Sequence, residues 1–474
     1  MTSSPQIAAC TSALRAAGIA VEDAKGPVAR KSRDFYWYSP ILKRQLADVI
    51  GDFVATPTDV DQIKTILALC HAHGVPVTPR GAGTGNYGQA MPLRGGCILH
   101  TAALDQIITL GPNRLIAQPG AIMADLEAAC RAQGKEIRLF PSTTATATLG
   151  GFIAGGSSGV GAIRWGGLRN PANINRLKLI TMEETPREIT LTGQDVYKAA
   201  HAYGVNGVIT EIEIPIDPAT DWAEAIIGLP TLAAATQFAL DLGAAHDAIL
   251  TRMISVFEAP IPDRFFLRHR EHLDPAQAAV AVLVKRTDLP ALAKFARPAS
   301  GALRYDGQPS SRKPPPIYEI GWNHTTLRAM KVDPTITYLQ MMLPAADPIA
   351  GLHAIKARFG DEILIHLELT RIMGKVTAVA LPLVQFTTEA RLEEMIHILE
   401  AEIGATVFNP HRVTLEEGGM KEPDQTQLAF KRETDPDGLL NPGKMIAWED
   451  PNWKPTAGRS YLFGATADVK EPSL

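Results

Sequence analysis

The chain has 474 residues, with 46 lysines and arginines against 50 aspartates and glutamates, 46% hydrophobic composition, and four cysteines. A formal net charge of −4 offers no overall positive field to collect phosphate backbones, and no local Lys/Arg cluster replaces it, which argues against a nucleic-acid function. The length predicts two or three domains with full-sized cores.

Cys10, Cys70, Cys97 and Cys130 form no CxxC pair and have no histidine at zinc-finger spacing, so they read as buried thiols of a reducing compartment. The N-terminal MTSSPQIAACTSALRAAGIAVEDAKG has no basic run ahead of an apolar stretch and does not read as a signal peptide. Residues 139–163 carry no charge, but they are mostly Gly, Ser, Thr and Ala rather than the ~20 apolar residues of a membrane span. The expectation is a cytoplasmic protein without a transmembrane segment.

In chain order, FVATP reads as a strand. TDVDQIKTILALCHAHG places Val60, Ile63, Ile66, Leu67 and Cys70 at helical spacing behind Thr58 as cap, and VPVTPRG is a second strand. CILHTAAL and ITLGPNRLIAQPG follow as strands, then the helix ADLEAACRAQG closed by Gly134. NINRLKLITMEETPREI and NGVITEIEIPI supply further strands, so residues 40–217 read as one α+β unit. The pattern resets at Asp217-Pro218. Beyond it, AEAIIGL, AVAVLVK, TITYLQMML and GKVTAVALPLV alternate with helices such as TEARLEEMIHILEAEIG, a second α+β unit over 218–410. The polar, proline-rich run at 305–316 is a loop, either a lid or a surface excursion.

Glycine is concentrated: 18 of 39 lie between Gly74 and Gly167. PRGAGTGNYGQ, directly after a strand, has the composition of a backbone nest that cradles a pyrophosphate. It is neither a Walker loop, lacking GK[ST], nor the usual dinucleotide fingerprint, because no helix starts straight after it. Further on, FPSTTATATLGGFIAGGSSGVGAIRWGGLRNP sets small hydroxyl residues ahead of two glycine pairs, suited to bonding the polar edge of a ligand.

PRGAGTG, QPG at 118–120, PS…ATLGGFIA, RWGGLRNP at 164–171 and NGVITE at 206–211 stand in an order and spacing that resemble the vanillyl-alcohol-oxidase or PCMH-type FAD-binding family. DPDGLLNPGKM at 435–445 is similar to the C-terminal signature of its glycolate-oxidase and D-lactate-dehydrogenase branch. The resemblance implies a two-domain α+β fold: an FAD-binding domain over 1–217 with an N-terminal arm to about 40, a substrate or cap domain over 218–410, and a C-terminal segment, 411–474, returning to the first. It implies FAD contacts from Arg80, Gly81, Ala82, Gly83, Thr84, Gly85, Asn86, Tyr87 and Gln89 around the pyrophosphate. Pro141, Ser142, Thr143, Thr146, Thr148, Gly150, Gly151 and Gly155 would contact ribityl, flavin and adenine groups, with Gly207, Val208 and Ile209 on the adenine side and Asn441 from the C-terminal signature. Relatives that bind flavin covalently through the first loop carry a histidine there; GTGNYG has none, so dissociable FAD is expected.

Oxidation of an alcohol by a flavin needs a base and, for an acid substrate, a cation. The candidates are His324 in IYEIGWNHTTL, His366 with Glu368 and Arg371 in ILIHLELTR, and His411 in FNPHRVTLEEGG. Alternation puts His366, Glu368 and Thr370 on one strand face, which either lines a cavity or faces solvent. The metal site of the branch, two histidines seven apart and a Glu-His pair, is half missing: Phe359 and Glu417 occupy two of its places, so no metal is expected, the alternative being a zinc or manganese site made from His366, Glu368, His411 and Glu416.

The reading is an FAD-dependent oxidoreductase acting on a small hydroxylated substrate, such as a 2-hydroxy acid, by hydride transfer. The alternatives are a non-redox or phosphate-substrate flavoenzyme, with Arg304, Arg312, Lys313, Arg328 and Lys331 as anion ligands, or the FAD-binding subunit of a glycolate-oxidase-like electron-transfer complex. The electron acceptor (oxygen, a quinone or a partner protein) and the choice between monomer and homodimer stay open.

Overall fold

A computed structural model describes residues 4–307, 314–418 and 425–454. The centre of the polar loop, 308–313, with Arg312 and Lys313, lies outside the described residues, so the lid expectation does too.

The first glycine loop hangs from a four-stranded sheet in the order Ala20–Glu22, Phe53–Thr56, Cys97–His100, Val77–Arg80. The last three are mutually parallel and the first is antiparallel. The helix Val60–Ala72 crosses over it, burying Ile63, Ile66, Leu67 and Cys70 as the spacing predicts. Its cap is Asp59, not Thr58: the Asp59 carboxylate accepts from the Gln62 N–H at 2.8 Å. A carboxylate there also complements the positive helix end, which a threonine cannot.

A second, antiparallel sheet runs Ile107–Leu110, Arg114–Ala117, Val208–Pro218, Arg176–Ile180, Glu188–Thr192, with Lys135–Ile137 on the end of the long strand. The run predicted as strand over 173–189 is therefore divided, because Thr181, Glu183 and Arg187 tie a turn through its middle.

The third sheet has eight strands: Ala302–Tyr305, Trp222–Leu229, Ala278–Lys285, Thr251–Phe257, His366–Ile372, Lys375–Ala380, Gln340–Met342, Thr406–Phe408. Helices Leu232–Ala244, Leu289–Ala296, Pro348–Phe359 and Glu389–Ala401 share one buried cluster with Ile365, Leu367 and Leu369 on one face. The other face, with Met253, Phe257 and Ala281, is continuous with the core of the second sheet around Phe140, Phe152 and Leu177. Thr251–Phe257, which the sequence pattern does not mark, is buried along its whole length. With both faces covered it lacks the in-out alternation that identifies a strand.

The C-terminal signature returns to the first sheet, where Val77 N–H donates to Leu439 C=O and Asn441 N–H to Val77 C=O, both at 2.8 Å. All four cysteines are buried free thiols. Among the described residues no helix is long and apolar enough to cross a membrane.

Candidate functional site

The strand Val77–Arg80 delivers the first loop, and the head of the helix Leu149–Gly155 lies against it. Thr148 caps that helix by accepting from the Gly151 N–H, and a Cβ on Gly81 would come within 2.1 Å of the Thr148 hydroxyl oxygen. The two glycine-rich elements, separated by more than fifty residues of sequence, thus share one surface. A Cβ on Gly150 would come within 2.5 Å of Pro119, and the Gly150 N–H donates to the Pro119 carbonyl, which explains the QPG element as a packing partner.

Beneath the loop, Arg80 is 7% exposed and folds back so that a Cβ on Gly83, whose φ is +71°, would overlap its guanidinium. Arg80 donates to Ala82 C=O, while its Nε and Nη1 have no acceptor among the described residues. Nor do the N–H groups of Ala82, Gly83 and Thr84. Buried donors are nearly always paired. A guanidinium and successive amides left open around a cradle that any Cβ would obstruct are the donor set an FAD pyrophosphate requires, so the residues present fit FAD.

The floor of the cradle is supplied from elsewhere in the chain. Asp34 accepts from Tyr36 and Ala90 N–H groups, and Lys444 donates to Gly88 C=O at 2.5 Å. Burial pushes the Asp34 carboxyl up to about 6 against the pull of Lys444, and burial drives Lys444 down to about 7 against the pull of Asp34. Asn441, at φ +38°, donates to Gln89 and Tyr203 carbonyls, and Gln89 in turn accepts from Tyr87 N–H. His201 and Tyr203 also have positive φ, and their N–H groups bond Ile153 and Ala154 carbonyls at the end of the capped helix. Sequence reasoning misses Asp34, Tyr203 and Lys444 in these roles. The one signal for any of them is the Lys-Met pair that ends the C-terminal signature.

Of the remaining cofactor candidates, Thr143 C=O accepts from Thr146 and Ala147, closing the turn of the second loop. Pro141 and Thr146 are not fully buried, and Ser142 is 8% exposed. Gly155 has open space at its Cβ, and Gly85 is blocked by Gln89. Gly207, at φ +127°, fits under Leu179, and Val208 and Ile209 open the long strand with their side chains in the core, so any ligand contact there is through main chain.

The eight-stranded sheet faces the loop through its polar side. Register places Glu368 beside Val379 and Val379 beside Met342; Gln340, two residues on, shares their face. The Tyr87 hydroxyl of the glycine loop donates to Gln340 Oε1 at 2.8 Å. His366 and Glu368 are buried on that face, so it is not the solvated side of a sheet.

Glu368 gathers three donors. The Ser255 hydroxyl bonds Oε2 at 2.6 Å, while Trp322 N–H and His366 Nε2 bond Oε1 at 2.6 and 2.8 Å. Because a carboxylate only accepts, His366 carries its proton on Nε2, which leaves Nδ1 a lone pair with no partner among the described residues. The imidazole stacks on Phe257, with centroids 4.9 Å apart. The 321–322 turn fits over this carboxylate at a cost. Trp322 sits at φ +51°, and a Cβ on Gly321 would be 2.9 Å from Glu368 Oε1.

The other three catalytic candidates make no hydrogen bond to this pair among the described residues. His324, at the start of the helix Asn323–Val332, lines a cavity of about 360 Å³ with Arg268, Glu319, Arg328 and Lys331. In His411, Nε2 bonds Tyr338 C=O and Nδ1 the Ser39 hydroxyl, so both nitrogens are committed within the fold. Arg371 donates to the carbonyls of Ile163, Gly243 and Gly374, tying its strand to neighbouring segments. Glu416 holds the Ile446 and Ala447 N–H groups. Among the described residues, no three His, Cys, Asp or Glu side chains gather as a metal requires.

A family model described as an FAD binding domain matches residues 51–190. The glycolate oxidase subunit GlcD of Bacillus subtilis is 29% identical over 207 residues, 41% of this chain and 43% of that one. A D-lactate dehydrogenase of Anaerostipes hadrus is 27% identical over 176 residues, 34% of this chain and 35% of its own length. The matches thus span less than half of these relatives. Among solved structures, an alkyldihydroxyacetonephosphate synthase superposes with a TM-score of 0.69 at 14% identity, covering 92% of this chain and 85% of that one. A single-residue variant of the Physcomitrella patens BBE-like 1 protein gives 0.63 at 12% identity, over 91% and 98%. With the family match spanning the open cradle of amides and guanidinium, the chain carries a PCMH-type FAD-binding domain over 51–190, and its cofactor is FAD.

Proposed function

We propose that the protein oxidises a CH–OH group of a small hydroxylated substrate, such as a 2-hydroxy acid, to the carbonyl. The observation that carries this reading is the buried His366–Glu368 pair, with His366 Nδ1 uncommitted, on the sheet face joined to the glycine loop by Tyr87 and Gln340. When bound, FAD supplies the two-electron acceptor this oxidation needs. His366 Nδ1 takes the hydroxyl proton, and Glu368 holds the ring in one tautomer and faces the positive charge that results. Trp322 Nε1, Asn323 Oδ1 and Thr326 Oγ1, buried close by along the chain and without partners among the described residues, are the groups that would orient a polar substrate.

Two distant relatives named for glycolate and D-lactate support an acid substrate. The absence of histidine and cysteine from residues 80–89 supports dissociable FAD. The division into an FAD domain, a cap and a returning C-terminal segment belongs to the same proposal.

The test is anaerobic mixing of the yellow protein with a panel of 2-hydroxy acids, polyols and phenols. At least one 2-hydroxy acid should bleach the visible absorbance, and His366→Asn should slow that bleaching by about 10²-fold or more. A wild-type protein bleached by no member of the panel, or a variant as fast as wild type, would overturn the reading.

A further inference from the structure

The cavity beside His324 has no part in the reaction drawn above. It is lined by Arg268, Pro315, Glu319, His324, Leu327, Arg328 and Lys331 and holds about 360 Å³, toward the lower end of the ~300–1,000 Å³ typical of ligand sites. Its three cations face one carboxylate, 3 − 1, an excess of two positive charges. That carboxylate is partly spent: Arg328 Nη2 lies 3.4 Å from Glu319 Oε2 while its Nε donates to Glu319 C=O at 2.7 Å. Lys331 and Arg268 have no carboxylate partner among the described residues.

The cations burden one another. Burial lowers the Arg328 guanidinium and Arg268 lowers it further. Burial, then Arg328 and Lys331, hold the His324 imidazole down at about 4, so it enters the site neutral, able to donate one hydrogen bond. Like charges collected around one concavity are relieved by an anion. Leu327 and Pro315 add an apolar wall.

We infer that this cavity binds the phosphate group of a small phosphate monoester, whose two negative charges match the excess and whose carbon skeleton lies on Leu327 and Pro315. Arg328 offers planar donors for two oxygens and Lys331 a point charge for the third. The inference rests on the flavoenzyme reading only for the use made of the bound molecule, not for whether it binds.

Titration calorimetry on the FAD-loaded protein with glycerol 3-phosphate, inorganic phosphate and glycerol decides it; with FAD bound, the glycine loop is not available to the probe. Glycerol 3-phosphate should saturate one site, glycerol should give no heat, and inorganic phosphate should compete more weakly because it lacks the carbon skeleton. Arg268→Gln and Lys331→Gln, both at exposed side chains, should each weaken glycerol 3-phosphate by about tenfold. Binding no better than glycerol, or unchanged in both variants, would overturn the inference. Inorganic phosphate binding as tightly as the ester would overturn the monoester assignment. A chain that takes up no FAD would refute the flavin reading instead, and the loss of glycerol 3-phosphate binding in Arg268→Gln and Lys331→Gln would still decide this one.

Discussion

Replacing Glu368 separates its packing role from its chemical one. The side chain is 1% exposed and accepts from the Ser255 hydroxyl, Trp322 N–H and His366 Nε2–H. In Glu368→Leu the hydroxyl can rotate toward another acceptor, but the amide and the imidazole N–H stay buried and unpaired. At about 1–3 kcal/mol for each stranded donor, the variant should lose about 2–6 kcal/mol. Glu368→Gln can set its carbonyl at the Oε1 position, keeping both fixed donors, while its amide donates to Ser255, so it should lose about 1 kcal/mol or less. That second variant removes only the negative charge facing the imidazolium. Its flavin reduction by a responsive substrate should therefore slow by roughly ten- to hundredfold while its fold persists. Urea unfolding followed by circular dichroism gives the first quantity and anaerobic stopped flow the second. Equal urea midpoints for the leucine variant and wild type would refute the packing argument, and an undiminished rate in the glutamine variant would remove the pair from the chemistry.

Gly81→Ala sets a methyl group 2.1 Å from the Thr148 hydroxyl oxygen, and the overpacking should cost about 1–3 kcal/mol and raise the FAD dissociation constant, as read by fluorescence titration of the apoprotein. Arg80→Met removes the open guanidinium and should weaken FAD by about tenfold or more in the same assay; unchanged affinity would mean the loop amides suffice alone. His411 is held at about 4 by burial against an ordinary 6.5, so the unfolded chain takes up its proton first and this group's contribution to stability is lost as pH falls from 6.5 toward 4. His411→Gln should flatten that part of the urea-midpoint profile by up to ~3 kcal/mol, and a profile parallel to wild type would contradict the assignment. Acid precipitation should release all the flavin into the supernatant; flavin retained in the pellet would show a covalent bond.

Much of the open cradle that fits FAD is legible from residue order because its chemistry is local. Glycines at 81, 83, 85 and 88 and a capping Thr148 announce open amides and a helix head wherever they occur, since the constraint lies in the backbone of a few consecutive residues. The helix Val60–Ala72 is legible for a related reason, its apolar period matching the turn of the helix. Thr251–Phe257 is not, because burial on both faces erases the period-2 signal.

The catalytic candidates divide along the same line. Polar residues at 366, 368 and 370 in an apolar run mark a polar strand face, yet only the covering layers decide that the face is buried, and only the 321–322 turn puts a third donor on Glu368. His324, His366 and His411 look alike as letters in apolar surroundings. In the fold one faces three cations, one keeps a free lone pair and one is bonded at both nitrogens. The sequence by itself pointed to the cofactor and to two loops with open amides, because amide exposure and turn conformation are set by neighbours in the chain. The tertiary structure alone decided which histidine is available and where positive charge collects, because hydrogen-bond commitment and desolvation depend on groups brought together from 34 to 444.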